Sequence, residues 1–173
     1  MRGRIRRNRS PSFRFKLCPD ERYDILEKSI AANKFNIGYE TLEYVSAALL
    51  DLGWHSISTD EVPSDVVTFE NHLLKGYGMD YRPVPPRYRT SYFAHVWSGG
   101  YSASYYAYLW SEVLAADAFA HMQNMGGLTA ANGANYREKI LSRGGTREVM
   151  LQYRDFRGQA PTVDALLVRH ELQ

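Results

Sequence analysis

The chain has one cysteine, Cys18, in 173 residues, which excludes an internal disulfide and fits a reducing cytoplasm. It has no apolar run long enough to cross a bilayer, so no membrane partner is expected. No stretch alternates apolar and polar residues as a half-buried strand does. The pairs Gly126-Gly127 and Gly144-Gly145 lack the lysine and hydroxyl residue that complete a nucleotide loop, and no serine sits in Gly-x-Ser-x-Gly. Acids are missing from residues 1–16, which hold six arginines and one lysine. Those seven, out of 21 basic residues against 19 acidic ones, account for the net charge of +2 and leave the rest of the chain acidic. A basic, acid-free terminus fits either a nucleic-acid arm or a targeting segment, whereas a nucleic-acid-reading surface on the remainder is not expected.

What is present is helical. A composition 45% hydrophobic is ordinary for one cored domain. After Pro19 the acids Asp20 and Glu21 suit a helix start, and Tyr23, Leu26 and Ile30 recur at helical spacing to about residue 33. Residues 39–52 carry a packing stripe of Leu42, Val45, Leu49 and Leu52, stopped by Gly53. Ser64 is the expected N-cap of the next helix. Pro83, Pro85 and Pro86 forbid a regular helix over residues 81–89, where Arg87, Tyr88 and Arg89 read either as cleft residues or as ordinary surface. The longest helix is expected over residues 102–124 with Gly126-Gly127 as its stop, followed by helices over 131–141, 147–156 and 163–169.

Residues 92–110, Tyr-Phe-Ala-His-Val-Trp-Ser-Gly-Gly-Tyr-Ser-Ala-Ser-Tyr-Tyr-Ala-Tyr-Leu-Trp, concentrate five of the 13 tyrosines and two of the three tryptophans. Ser98, Gly99 and Gly100 break the backbone pattern before the helical signal begins. Tyr101, Tyr105, Tyr108 and Glu112 follow at spacings of four, three and four, so on a helix they share one face. Two readings fit that face. The rings are amphipathic core, or their hydroxyls donate hydrogen bonds to a substrate carbonyl or a developing oxyanion.

The same string resembles the substrate-binding loop and helix of the thimet oligopeptidase family of zinc metallopeptidases, in its bacterial peptidyl-dipeptidase branch. The likeness continues through Lys34-Phe35-Asn36-Ile37-Gly38-Tyr39, Ala47-Ala48-Leu49-Leu50-Asp51, Val84-Pro85-Pro86-Arg87-Tyr88-Arg89, Gly126-Gly127-Leu128-Thr129 and Ile140-Leu141-Ser142-Arg143-Gly144. It implies an all-α C-terminal segment of a larger catalytic domain over residues 20–173, with residues 1–19 a basic tail that is disordered or an aberrant start. It also implies hydrolysis of short peptides, with release of C-terminal dipeptides. Carried over residue by residue, the resemblance makes His95 and Tyr101 ligands of the substrate backbone and Tyr108 the catalytic oxyanion donor. Gly99 and Gly100 form the binding loop, and Tyr105 and Tyr106 are further binding candidates. Ser98 stands where that branch often carries another glycine, which implies a stiffer loop.

Zinc belongs to the intact family, whose His-Glu-x-x-His places two ligands one helical turn apart. That motif is absent here; His170-Glu171 begins it in form, and Gln173 follows too soon for a second histidine. His55, His72, His95 and His121 are too far apart for a local pair, so the chain alone is expected to hold no zinc and to be inactive. The competing expectation is a non-catalytic peptide- or partner-binding fragment that complements a separately encoded catalytic half. Short peptides are the expected substrates, and nucleic acid is not an expected partner.

Overall fold

A computed structural model describes residues 19–32 and 34–172 of the chain. The basic stretch over residues 1–16 therefore lies outside the described residues. Contacts divide the chain into two units, Met1–Phe35 and Asn36–Gln173. In the first, α1 (Pro19–Ala32) leaves Ile25, Leu26 and Ile30 about half exposed, so its apolar spacing is not used for packing within that unit.

The second unit is all-α: α2 (Ile37–Trp54), α3 (Val66–Gly76), the four-residue α4 (Ala94–Trp97), α5 (Ala107–Asn124), α6 (Ala130–Tyr136), α7 (Val149–Arg157) and α8 (Asp164–Arg169). A π-helical turn, Arg137–Leu141, prolongs α6. Among the described residues every regular element is helical, as the sequence pattern requires. No helix among them is long and apolar enough to cross a membrane.

Helix α5 is the spine of this unit. Val113 and Ala116 pack on Leu166 of α8, while Ala118 packs on Tyr153 and Phe156 of α7. Small alanines along α5 let both neighbours approach, and burying each large partner contributes about 1.5–3 kcal/mol. Asp117 would be costly on that buried face if left unpaired. It instead accepts from Tyr153 Oη at 2.6 Å, Arg157 Nε at 3.0 Å and Arg157 Nη2 at 3.2 Å. Gly126 and Gly127 stop the helix at positive φ, 97° and 88°, which residues with a Cβ rarely adopt.

Three local expectations need correction. Asp65, not Ser64, caps α3: its Oδ1 accepts from Val67 N at 3.0 Å and Thr68 N at 3.2 Å, where a carboxylate also gains from the helix dipole. The most deeply packed face of α2 is not the leucine stripe but Ser46, Ala47, Ala48, Leu50, Asp51 and Gly53, with Gly53 lying under Leu73 inside a helix that runs on to Trp54. Finally, α5 begins at Ala107 rather than at 102. Ala103 has φ 55°, and its N–H and that of Tyr105 are bound by Asp51, so neither is available for a helical ladder.

Candidate functional site

The aromatic stretch is shaped by one face of α2 and its cap: Tyr44, Ala47, Ala48, Asp51 and His55, spaced by three and four residues. Ala47 and Ala48 offer no bulk, so Phe93, Val96 and Tyr105 close onto the helix as a buried cluster. Asp51, fully buried, accepts from Ala103 N at 2.9 Å and Tyr105 N at 2.8 Å, and lies 2.9 Å from His55 Nδ1. One carboxylate thus holds the 101–106 turn at two points. Tyr44 holds it at another, donating to the Tyr105 carbonyl at 2.6 Å and accepting from Leu109 N at 3.3 Å. Ser102 Oγ donates to the Val96 carbonyl at 2.6 Å, tying the turn back to α4.

The rings lie where these hydrogen bonds leave them. Tyr101 and Tyr108 stack with centroids 5.1 Å apart, and Tyr105 meets Tyr108 edge-on at 5.4 Å. His95 sits among rings, 4.9 Å from Tyr88, 5.5 Å from Tyr105 and 6.2 Å from Tyr101. Tyr105 is 3% exposed and Tyr108 44% exposed, so Tyr105 forms the wall behind Tyr108 while Tyr108 reaches the surface. Tyr106 is 48% exposed and joins none of these ring contacts. The structure therefore gathers His95, Tyr101, Tyr105 and Tyr108 and leaves Tyr106 apart.

Burial is the main cause that raises Tyr44 above the usual phenol range and pushes Tyr105 up to about 12. Tyr108 is raised first by its hydrogen bond with the Tyr101 hydroxyl and then by desolvation. All three are protonated at neutral pH, so each is a hydrogen-bond donor. Tyr44, Tyr108, Leu109, Glu112, His170 and Arg87 line a cavity of about 230 Å³, in which His170 Nε2 lies 3.2 Å from Glu112 Oε1. A larger cavity beside α3 includes Arg89 but no residue of the aromatic stretch, and one between α5 and α8 includes none of the candidate residues.

Residues 21–172 match Peptidase family M3. The chain belongs to that family. It is 47% identical over 149 residues to dipeptidyl carboxypeptidase of Escherichia coli strain K12, covering 86% of this chain and 21% of that protein. Dipeptidyl carboxypeptidase of Salmonella typhimurium is 42% identical over 144 residues, 83% of this chain and 21% of that protein. Oligopeptidase A of E. coli is 31% identical over 150 residues, 87% of this chain and 22% of that protein. The chain thus spans 21–22% of the length of these curated relatives. The resemblance read from the aromatic stretch holds at the level of the family.

Among the described residues of this M3 segment, no group of three or more histidine, cysteine, aspartate or glutamate side chains comes together to hold a metal ion. His95, the histidine of the loop, is surrounded by Tyr88, Phe93, Tyr101 and Tyr105 rather than by carboxylates. These residues do not fit the zinc site that the family implies, and their chemistry is hydrogen bonding and stacking.

The loop glycines have separate roles in the M3 segment. A Cβ on Gly99 would stand 2.9 Å from the Cα and the carbonyl oxygen of His95, both backbone, whereas Gly100 faces open space at φ 80°. Gly99→Ala must therefore push α4 outward. It is expected to lower the chain's stability by about 1–3 kcal/mol, as overpacking does, read as a shift of the urea midpoint with an unchanged slope. A shift below about 0.5 kcal/mol would mean that the loop absorbs the methyl without moving His95.

Sequence reasoning missed Tyr44, Asp51 and His55. A signal for them existed: a tyrosine, an acid and a histidine recur on the alanine-lined side of α2, where surface residues would be pointless. The leucine stripe drew attention to the other side.

Proposed function

We propose that this segment forms the substrate-binding side of a peptidase that releases C-terminal dipeptides from short peptides. Tyr101 and His95 bind the peptide backbone, with Gly99 and Gly100 letting the chain approach, and the Tyr108 hydroxyl donates a hydrogen bond to the oxyanion of the tetrahedral intermediate. The observation that carries the reading is the Tyr101–Tyr108 stack at the edge of the cavity, with Tyr108 half exposed and its hydroxyl held protonated. Support also comes from the relatives, whose names state dipeptidyl carboxypeptidase activity for proteins up to 47% identical to this chain. Oxyanion donors placed in advance cost no reorganisation during reaction, which is why a single such hydroxyl has a large effect on rate. Tyr105 backs the donor from the core in this scheme, and Tyr106, apart from these rings, has no role in it.

The described residues supply binding and hydrogen bonding, so the reading requires a partner segment that holds the zinc. The test is a chimera in which residues 21–172 replace the matching part of E. coli dipeptidyl carboxypeptidase, assayed for dipeptide release from an N-blocked tetrapeptide. Retained release is expected. A folded, zinc-loaded chimera that binds the peptide and releases nothing would refute the assignment.

A further inference from the structure

Helix α3 ends in a turn that folds the chain back beside it. Gly78, at φ 70°, lets the Met79 N–H reach the Leu74 carbonyl at 2.8 Å, so the chain reverses past the last turn of the helix. The Val84 N–H then donates to the Tyr81 carbonyl at 3.0 Å and closes a second turn, after which Pro85 and Pro86 stiffen the backbone. These two turns and α3 enclose a cavity of about 530 Å³, within the range of small-molecule sites. Its floor is apolar and its rim is charged. Leu74, Val84 and Pro86 are buried, whereas Lys75, Asp80, Tyr81 and Arg82 line it as exposed residues.

Three cations line this cavity, and the fold uses them differently. Arg89 Nε donates to buried Glu70 at 2.6 Å, so its charge is neutralised within the scaffold. Arg87, two residues earlier, is half exposed and lines the cavity of Tyr108 instead. Lys75 and Arg82 form no ion pair among the described residues, and Asp80 is the one carboxylate on the lining. A lysine and an arginine outnumber that carboxylate, so the unmet charge is negative. A carboxylate ligand is satisfied by one guanidinium fork, whereas a phosphate monoester has three acceptor oxygens and a charge of about −2 to share between a lysine and an arginine. Tyr81 is 60% exposed and meets no other ring among the described residues, which leaves its face open to stacking by a planar ligand.

We infer that this cavity binds a small phosphate ester joined to a planar ring, of nucleoside monophosphate size. Lys75 and Arg82 hold the phosphate, Tyr81 stacks on the ring, and the buried floor of Leu74, Val84 and Pro86 excludes water beneath it. The cavity shares no lining residue with that of Tyr108, so the inference does not rest on the peptidase reading.

The experiment titrates the full chain calorimetrically with adenosine monophosphate, adenosine and inorganic phosphate. Adenosine monophosphate is expected to bind saturably at one site, and adenosine and phosphate each about tenfold more weakly or worse. Lys75→Gln combined with Arg82→Gln should lower affinity for the nucleotide by about tenfold or more. Tyr81→Ala should lower it by about tenfold, the effect of one lost base–aromatic stack, while affinity for phosphate stays within about twofold. All three side chains are exposed, so the urea midpoint should stay at the wild-type value. The basic residues of 1–16 attract any anion, and a variant of equal charge change controls for them. Arg137→Gln combined with Arg154→Gln removes two exposed cations far along the chain from the cavity and should leave nucleotide affinity within about twofold. No saturable binding of adenosine monophosphate, or adenosine or phosphate bound as tightly as the nucleotide, overturns the inference. Equal losses in the two charge variants also overturn it, since binding would then follow net charge alone.

Discussion

Tyr108→Phe is expected to lower the turnover of the chimeric peptidase by about 100-fold with little change in KM, the pattern of a contact made mainly in the transition state. Phenylalanine keeps the ring, so the 5.1 Å stack on Tyr101 and the 5.4 Å edge contact with Tyr105 survive, and only the hydroxyl is removed. At 44% exposure the ring is not part of the buried core, which separates the chemical effect from a folding defect. Tyr101→Phe should act differently. Its proposed contact exists in the bound complex already, so KM should rise more than kcat falls. Steady-state kinetics of both variants, each checked for fold and zinc content, decide the matter. Near-normal kcat in Tyr108→Phe would return that tyrosine to a packing role.

Asp51→Ala is expected to destabilise the chain by about 3 kcal/mol or more, because it strips one buried and one part-buried N–H donor of a charged acceptor at once. Both donors, on Ala103 and Tyr105, belong to the turn that carries the tyrosines, and Ala103 is held at φ 55° where alanine is uncommon. Without the carboxylate the turn loses the contacts that hold this backbone in place. Asp51→Asn keeps one acceptor oxygen and should cost less. Urea unfolding followed by circular dichroism measures both. A loss below about 1 kcal/mol for the alanine variant would show that water or a local shift satisfies the freed donors.

Six of the seven α-helices in residues 36–172, and their order, could be read from spacing, since helical periodicity, Gly126-Gly127 and the prolines of residues 83–86 are local signals that need no tertiary partner; the four-residue α4 was not among them. Termini were read less well where side chains compete for the same job. Ser64 and Asp65 are both good caps, and only the geometry of the entering chain decides for Asp65. The face of α2 was misread for a related reason: leucines dominate any apolar count, whereas Ala47 and Ala48 are buried because a neighbour must come close.

The aromatic stretch shows where the boundary falls. Its composition, glycine break and likeness to a peptidase family are properties of the string, and they were enough to single out His95, Tyr101 and Tyr108 as a group. The string also made Tyr101, Tyr105 and Tyr108 one continuous helical face, which they are not. Asp51, more than fifty residues away, takes the N–H groups of Ala103 and Tyr105, so the helix cannot start before Ala107 and the two outer rings meet by stacking across a turn. Which tyrosine is wall and which is surface, and which of Arg87 and Arg89 remains accessible, follow from carboxylates on other helices. Residue types and local periods are written along the chain, but a buried charge acts through space, and the backbone it reorganises can be known only once the chain has folded around it.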